Sequence, residues 1–284
     1  MRFGINTFLW TANFGEQDFH LLPAIREHGF DGVEVSLFRP SGFQAAKIRR
    51  ALEQNGLDCT VCSVLTHGLS LIGDDAEVRR ETITHLKNCI EAAAEANARI
   101  IAGPLYHPVG AFRGGRRTDD EWKRAVDAYR ELGPVLAKHD VLLAIEPLNR
   151  FETYFLNTTS DAVALCEEVG HRNVGILWDT FHANIEEKDL AGALFQAAPH
   201  LKHVHTCEND RGTPGTGHVD WAGVFGALER AGYDGWLTIE SFGFAAGDLA
   251  AAASIWRDLA PTTEEIAWDG IRFLKQNCAA AALR

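Results

Sequence analysis

The chain has no uncharged stretch approaching the roughly 20 residues that a membrane-spanning helix requires, so no such segment is expected. Positive charge is scarce as well: 27 Lys+Arg stand against 39 Asp+Glu, a formal net charge of -12. Phosphate backbones and anionic bilayers gain nothing from an acidic surface, so neither nucleic acid nor membrane is an expected partner. The six cysteines show neither disulfide-like nor zinc-like spacing. Cys59 and Cys62 do form a C-x-x-C pair, but within the strand-like run DCTVCSVL. Residues three apart on a strand face opposite sides, which keeps the two thiols apart in the core. Reduced cysteines suit a cytoplasmic location. The opening residues MRFGINTFLW lack a long apolar core and a small-residue cleavage pattern, so no cleaved leader is expected. No linker rich in Pro, Ser or Gly divides the chain, and one domain spanning 1–284 is the expectation.

With 46% hydrophobic residues, the chain can bury a large core. Apolar, β-branched runs recur eight times: FGINTFL, GVEVSLF, DCTVCSVL, RIIAGPLY, VLLAIEPL, VGILWDT, LKHVHTCE and GWLTIESF. Amphipathic helical patterns such as AEVRRETITHLKNCIEAAAEAN and TDDEWKRAVDAYRELGPVLAKH separate them. Thr158-Thr159-Ser160 offers an N-cap to a helix that stops at Gly170, and Gly29, Gly56 and Gly232 each close a helix before the next strand. Eight strand–helix units in about 280 residues, with strands apolar on both faces, predict an α/β fold of the closed (β/α)₈ TIM-barrel type. The segment from Thr262 to about Ala280 reads as the last barrel helix. Before it, FGFAAGDLAAAASIWRDLAP is long enough to fold as a loop and short helix over the barrel mouth.

Glu146, Asp179, His205 and Glu240 each stand at the end of one of these runs, on strands 5, 6, 7 and 8. In such barrels the C-terminal strand ends carry the chemistry. Three carboxylates and an imidazole on adjacent staves can converge on one point, an oxygen-rich site for a divalent metal. The first and last are glutamates, the pair that proton transfer at a carbon centre requires. A metal-dependent enzyme acting on a small hydroxy-ketone or sugar is therefore expected.

The same strand ends carry longer motifs. Glu146 to Glu152 (EPLNRFE), Asp179 to Glu187 (DTFHANIEE), His205 to Arg211 (HTCENDR) and Trp256 to Leu259 (WRDL) resemble the ketose 3-epimerases. That group belongs to the xylose-isomerase-like barrels, which also include sugar isomerases, inosose dehydratases and a DNA-repair endonuclease. The resemblance implies that Glu146, Asp179, His205 and Glu240 hold one Mn²⁺, Mg²⁺ or Co²⁺ per subunit, with Glu146 and Glu240 doubling as the acid–base pair. It implies substrate contacts from Glu152, His182 and Arg211, a ketose as the small-molecule partner, and a homodimer or homotetramer. Three places depart from better-known members: Gly4-Ile5-Asn6-Thr7 lacks an aromatic pair, His107 stands where several have tryptophan, and Ser241 replaces a proline after Glu240.

Epimerisation requires that a proton leave one face of a carbon and return to the other. Two glutamates on opposite sides of a metal meet that demand, whereas an aldose–ketose isomerase, the alternative reading, works on one face. That alternative includes phosphorylated substrates, for which Arg113, Arg116 and Arg117 in the glycine-containing loop FRGGRR are the candidate anion site. A repair nuclease would want more metal ligands and a basic face. Among further residues, Arg211 could hold a substrate oxygen, His203 shares a strand face with His205, and His67 and His107 end strands 3 and 4. Trp10 and Phe242 end strands 1 and 8 and could cover the sugar's apolar face, although core packing is the commoner use of such aromatics.

Overall fold

The computed structural model describes residues 1–243 and 248–281. Its strands are β1 (Arg2–Asn6), β2 (Gly32–Ser36), β3 (Asp58–Cys62), β4 (Ile100–Gly103), β5 (Leu142–Ile145), β6 (Val174–Asp179), β7 (Leu201–His205) and β8 (Trp236–Ile239). All neighbours pair in parallel, and β1 pairs with β8, which closes the barrel. Each strand stops one to three residues before the end of the apolar run that announces it. After β1 the chain turns into a 3₁₀ helix, Thr7–Leu9, instead of continuing as strand. Asn6 drives that turn, because its side-chain oxygen accepts from Phe8 N at 2.9 Å.

Local signals set the helices as read. Helices span Ala76–Glu95 and Asp119–His139, the latter opened by a capping box between Thr118 and Glu121. Thr158 caps Thr159–Val169, and Gly170 ends it at φ 65°. The last barrel helix is Thr263–Ala281. Of the segment expected over the mouth, residues 244–247 lie outside the described residues, and Asp248–Ala252 forms the short helix. Among the described residues no helix is long and apolar enough to cross a membrane.

The main core fills the space between barrel and helices. Inside the barrel, side chains stack in tiers, as the two-residue strand period demands. The lower tiers are apolar and include Ile100, Ala102, Ala144, Leu177 and Trp236. Glu34 and His203 lie above them, both fully buried, and the strand ends of β5–β8 form the rim. Cys59 packs into the outer core and Cys62 into a cluster at the mouth, so the two thiols part as expected. One glycine bears directly on the rim. Gly103 ends β4 at φ 133°, where a Cβ would come 2.1 Å from Ser63 O, and its carbonyl accepts from Glu146 N at 3.1 Å.

Candidate active site at the barrel mouth

Asp179 shows how the backbone builds this site. It ends β6 and is also the N-cap of the helix Thr180–Glu186, its Oδ1 accepting from Phe181 N at 2.6 Å. Such a cap contributes about 1 kcal/mol to the helix and leaves the second oxygen free to face inward. Glu146 and Glu240 each sit one residue beyond their strands, and His205 ends β7. One ligand-type atom from each of Glu146, Asp179, His205 and Glu240 lies within 4.8 Å of the others, and all four residues are buried. His205 Nδ1 is 3.5 Å from Glu240 Oε1 and 3.8 Å from Asp179 Oδ2, too far for hydrogen bonds.

This geometry fits a divalent cation. Glu146 Oε1 and His205 Nδ1 are buried and have no hydrogen-bond partner. Such orphaned atoms are costly unless something else satisfies them. Burial, reinforced by repulsion from Glu240, pushes the Glu146 carboxyl well above the usual carboxylate range. Burial would also raise Asp179, but the Arg211 guanidinium outweighs it and holds Asp179 below its usual range. Three carboxylates thus share a pocket in which burial and mutual repulsion keep Glu146 from ionising without a further cation. Hard oxygen donors plus one imidazole suit Mn²⁺, Mg²⁺ or Co²⁺.

Arg211 is a buried member of the cluster. Its Nη1 donates to Asp179 Oδ2 at 3.2 Å and to Glu240 Oε2. The guanidinium also lies 4.1 Å from the Phe181 ring centroid and 5.0 Å from that of Phe242. Its backbone is left-handed at φ 67°, uncommon for a non-glycine residue. Ser241 Oγ secures that turn by donating to Arg211 O. Glu208 folds the loop around it, accepting from Asn209 N, Gly215 N, Val219 N and Trp221 Nε1 at 2.7–3.1 Å. Ser241, the departure from the usual proline, thereby supports the site.

His182 lies in the first turn of the helix after β6. Asn149 N donates to its Nδ1 at 3.1 Å, and burial lowers the ring's proton affinity. A neutral ring with Nδ1 accepting carries its proton on Nε2, which is 3.6 Å from Glu146 Oε1. Arg211 Nη2 lies 3.2 Å from that same Nε2. Two donors side by side with no acceptor between them present a seat for a ligand oxygen. Asn149 Nδ2 also donates to Glu152 Oε1 at 2.9 Å, so one buried amide fixes both neighbours.

A cavity of about 120 Å³ joins these groups: Glu146, Glu152, His182, Arg211 and Glu240 line one side. The opposite wall is apolar, with Phe8, Cys62, Val64, Leu249 and Phe242 among its residues. Phe8 stacks on Phe242 at 5.5 Å. Phe242 thus lines the cavity, whereas Trp10 packs against the core. Trp10 turns outward to Trp268 and donates to Glu264 Oε1 at 3.2 Å, because the 3₁₀ turn after β1 swings Phe8 inward in its place. Nor does Asn6 supply a sugar contact, since its amide is committed to Glu34 Oε1 at 2.9 Å. His67 is exposed and His107 meets Ser70 at 3.0 Å, so neither lines the cavity. Arg113 and Arg117 of the basic loop pair with Glu121 and Asp161, which leaves little of an anion site there. A larger hollow of about 570 Å³ beside the end of β2 has no carboxylate or histidine in its lining.

One residue of this centre was absent from the expected set. Glu34 in β2 reaches across the barrel interior, and its Oε1 is 2.7 Å from His205 Nε2. The other oxygen is 2.7 Å from His203 Nε2, without the alignment of a hydrogen bond. Burial would raise Glu34, yet His205 and His203 together carry it far below the usual carboxylate range. His205 moves the opposite way: burial lowers its proton affinity, but Glu34 and Glu240 outweigh that and raise it.

Known proteins share this arrangement of strands and loops. Residues 22–276 match the family model described as a xylose isomerase-like TIM barrel. A probable ketose 3-epimerase from Synechocystis sp. is 37% identical over 276 residues, covering 97% of this chain and 96% of its own. A D-psicose 3-epimerase from Enterocloster bolteae is 32% identical, covering 95% of this chain and 91% of its own. The crystal structure of a D-allulose 3-epimerase from Methylomonas sp. in complex with D-allulose superposes with a TM-score of 0.92 at 26% identity, covering 98% of this chain and 97% of that one. The chain belongs to the xylose isomerase-like TIM barrel family, within its ketose 3-epimerase group, whose members are isomerase-class enzymes.

Proposed function

We propose that the protein epimerises free ketoses at C3 through an enediolate, with Glu146 and Glu240 as its acid–base pair. The observation that carries this reading is the placement of the two glutamates. They project from β5 and β8, flank the staves bearing Asp179 and His205, and line one cavity. In the proposed reaction one carboxylate takes the C3 proton, leaving a planar enediolate, and the other returns a proton to the opposite face. General acid–base catalysis of this kind contributes about 10²–10⁴-fold. Which glutamate abstracts depends on the C3 configuration, and the reverse reaction exchanges their roles.

Glu146, Asp179, His205 Nδ1 and Glu240 would hold one Mn²⁺, Mg²⁺ or Co²⁺, which when bound supplies Lewis-acid stabilisation of the charge developing on the sugar oxygens. Arg211 and His182 offer their paired donors to a carbonyl or hydroxyl oxygen, and Glu152 accepts from a hydroxyl. The apolar wall excludes water from the reacting carbon. The similar D-psicose and L-ribulose 3-epimerases support a ketohexose or ketopentose as substrate.

Incubation with one ketose and Mn²⁺ in deuterated water tests the reading. Deuterium at C3 of both epimers is the expected result. Aldose carrying deuterium at C1 or C2 would instead establish the one-faced isomerase.

A further inference from the structure

We infer that Glu34 is a positioning residue for the metal site: it fixes the ring of His205 so that Nδ1, and not Nε2, is presented to the cation. This rests on the reading of Glu146, Asp179, His205 and Glu240 as metal ligands. An imidazole can offer either nitrogen, and the nitrogen it offers depends on the hydrogen bond the other one makes. Here Nε2 is taken by Glu34 Oε1 at 2.7 Å, whereas Nδ1 is buried, unpartnered and turned towards Asp179 and Glu240.

The carboxylate is itself held from three strands. Asn6 Nδ2 of β1 donates to Oε1 at 2.9 Å, Thr60 Oγ1 of β3 donates to Oε2 at 3.1 Å, and His203 Nε2 of β7 stands 2.7 Å from Oε2. All are buried below the rim, so nothing outside the barrel competes for the carboxylate. A surface ion pair would not need such a scaffold. A carboxylate behind a ligating imidazole also raises its basicity, and removing such a partner typically weakens metal binding 10–100-fold.

The test compares wild-type protein with Glu34→Gln and Glu34→Ala by Mn²⁺ calorimetry. It also compares ¹⁵N-histidine spectra of the Mg²⁺-loaded proteins, in which wild-type His205 is expected to carry its proton on Nε2. The glutamine variant keeps an oxygen for that proton, so it should retain the tautomer and bind Mn²⁺ about 10-fold more weakly. The alanine variant should bind about 100-fold more weakly and lose the single tautomer. If alanine does not fold, the glutamine variant decides alone: Mn²⁺ affinity within twofold of wild type overturns the inference. Deuterium exchange at C3 separates this from the reaction itself. A wild-type protein that exchanges C3 hydrogen while both variants bind Mn²⁺ normally sinks only the role of Glu34. Weakened binding in variants of a protein that never exchanges C3 hydrogen supports Glu34 and sinks the epimerase reading.

Discussion

The two halves of the barrel contribute differently to one cavity. Strands β5–β8 bring charge: Glu146, Asp179, His205 and Glu240 at their ends, with Glu152, His182 and Arg211 in the segments that follow. Strands β1–β4 bring shape and support: Phe8, Cys62, Val64 and Pro104 on the apolar wall, and Glu34 behind His205. Reactive groups are cheapest to place at a strand end, where the next loop can tune them. The half without them can then be tightly packed, which keeps water away and leaves a low-dielectric setting in which each charge counts for more.

The largest test of that contrast lies on the charged side. Glu240→Gln and Glu146→Gln should each lower kcat by about 10²–10⁴-fold, because an amide cannot shuttle a proton. Mn²⁺ titration of the same variants should find much of the affinity retained, since the amide oxygen remains a donor. Turnover within a few-fold of wild type in either variant would remove that residue from the acid–base pair.

A smaller effect is expected from Asn149, which touches both His182 and Glu152. Asn149→Ala leaves buried groups unpaired, a cost of about 1–3 kcal/mol. We expect kcat/KM to fall roughly tenfold, the fold-change that about 1.4 kcal/mol produces, with Mn²⁺ affinity little altered. An unchanged kcat/KM would mean that substrate orients those two residues without help.

On the apolar side, Phe8→Leu and Trp10→Leu form a pair. Phe8 lines the cavity and stacks on Phe242, so its loss should raise KM several-fold. Trp10 packs on Trp268 outside it, so its loss should lower Tm and leave KM within about twofold. The reverse pattern would restore Trp10 as the sugar-facing aromatic.

The smallest effect concerns pH and the chelator-treated protein. Glu146 is raised in the folded state above its unfolded value of about 4.3, and His205 above about 6.5. Over the interval between unfolded and folded values the native state binds more protons, so stability falls as pH rises. Asp179 and Glu34 are lowered, so their contribution is lost only in the acid, below about pH 4. Burial lowers His182 and His203, which oppose this trend below about pH 6.5, so Tm of the metal-free protein should decline from about pH 7 upward. A bound cation requires an ionised Glu146 and a neutral His205 and displaces those protons, so Mn²⁺ should flatten the decline. Parallel Tm curves with and without Mn²⁺ would show that the carboxylates do not share a cation.

Much of this contrast is legible in the sequence, but unevenly. Glu146, Asp179, His205 and Glu240 each close an apolar run, and a charged residue where such a run stops marks a strand end. Glu34 gives no such signal. It lies inside GVEVSLF, where strand alternation alone does not tell a structural glutamate from one bonded across the barrel to a residue 171 positions away. Its clue is that a carboxylate within a strand buried on both faces must find a partner. Phe8 was not singled out, because an apolar run does not reveal where a strand yields to a 3₁₀ turn. Asn149 and Glu208 lie in loops, where no periodicity singles out the residue that gathers the hydrogen bonds. The barrel was readable from its eightfold rhythm, but the supports of its site depend on contacts between distant strands.

The most direct measurement is an anomalous difference map from a crystal of the protein grown with Mn²⁺. We expect one strong peak at the mouth, in contact with Glu146, Asp179, Glu240 and Nδ1 of His205. A map with no peak there, or with the His205 ring turned to offer Nε2, contradicts the account.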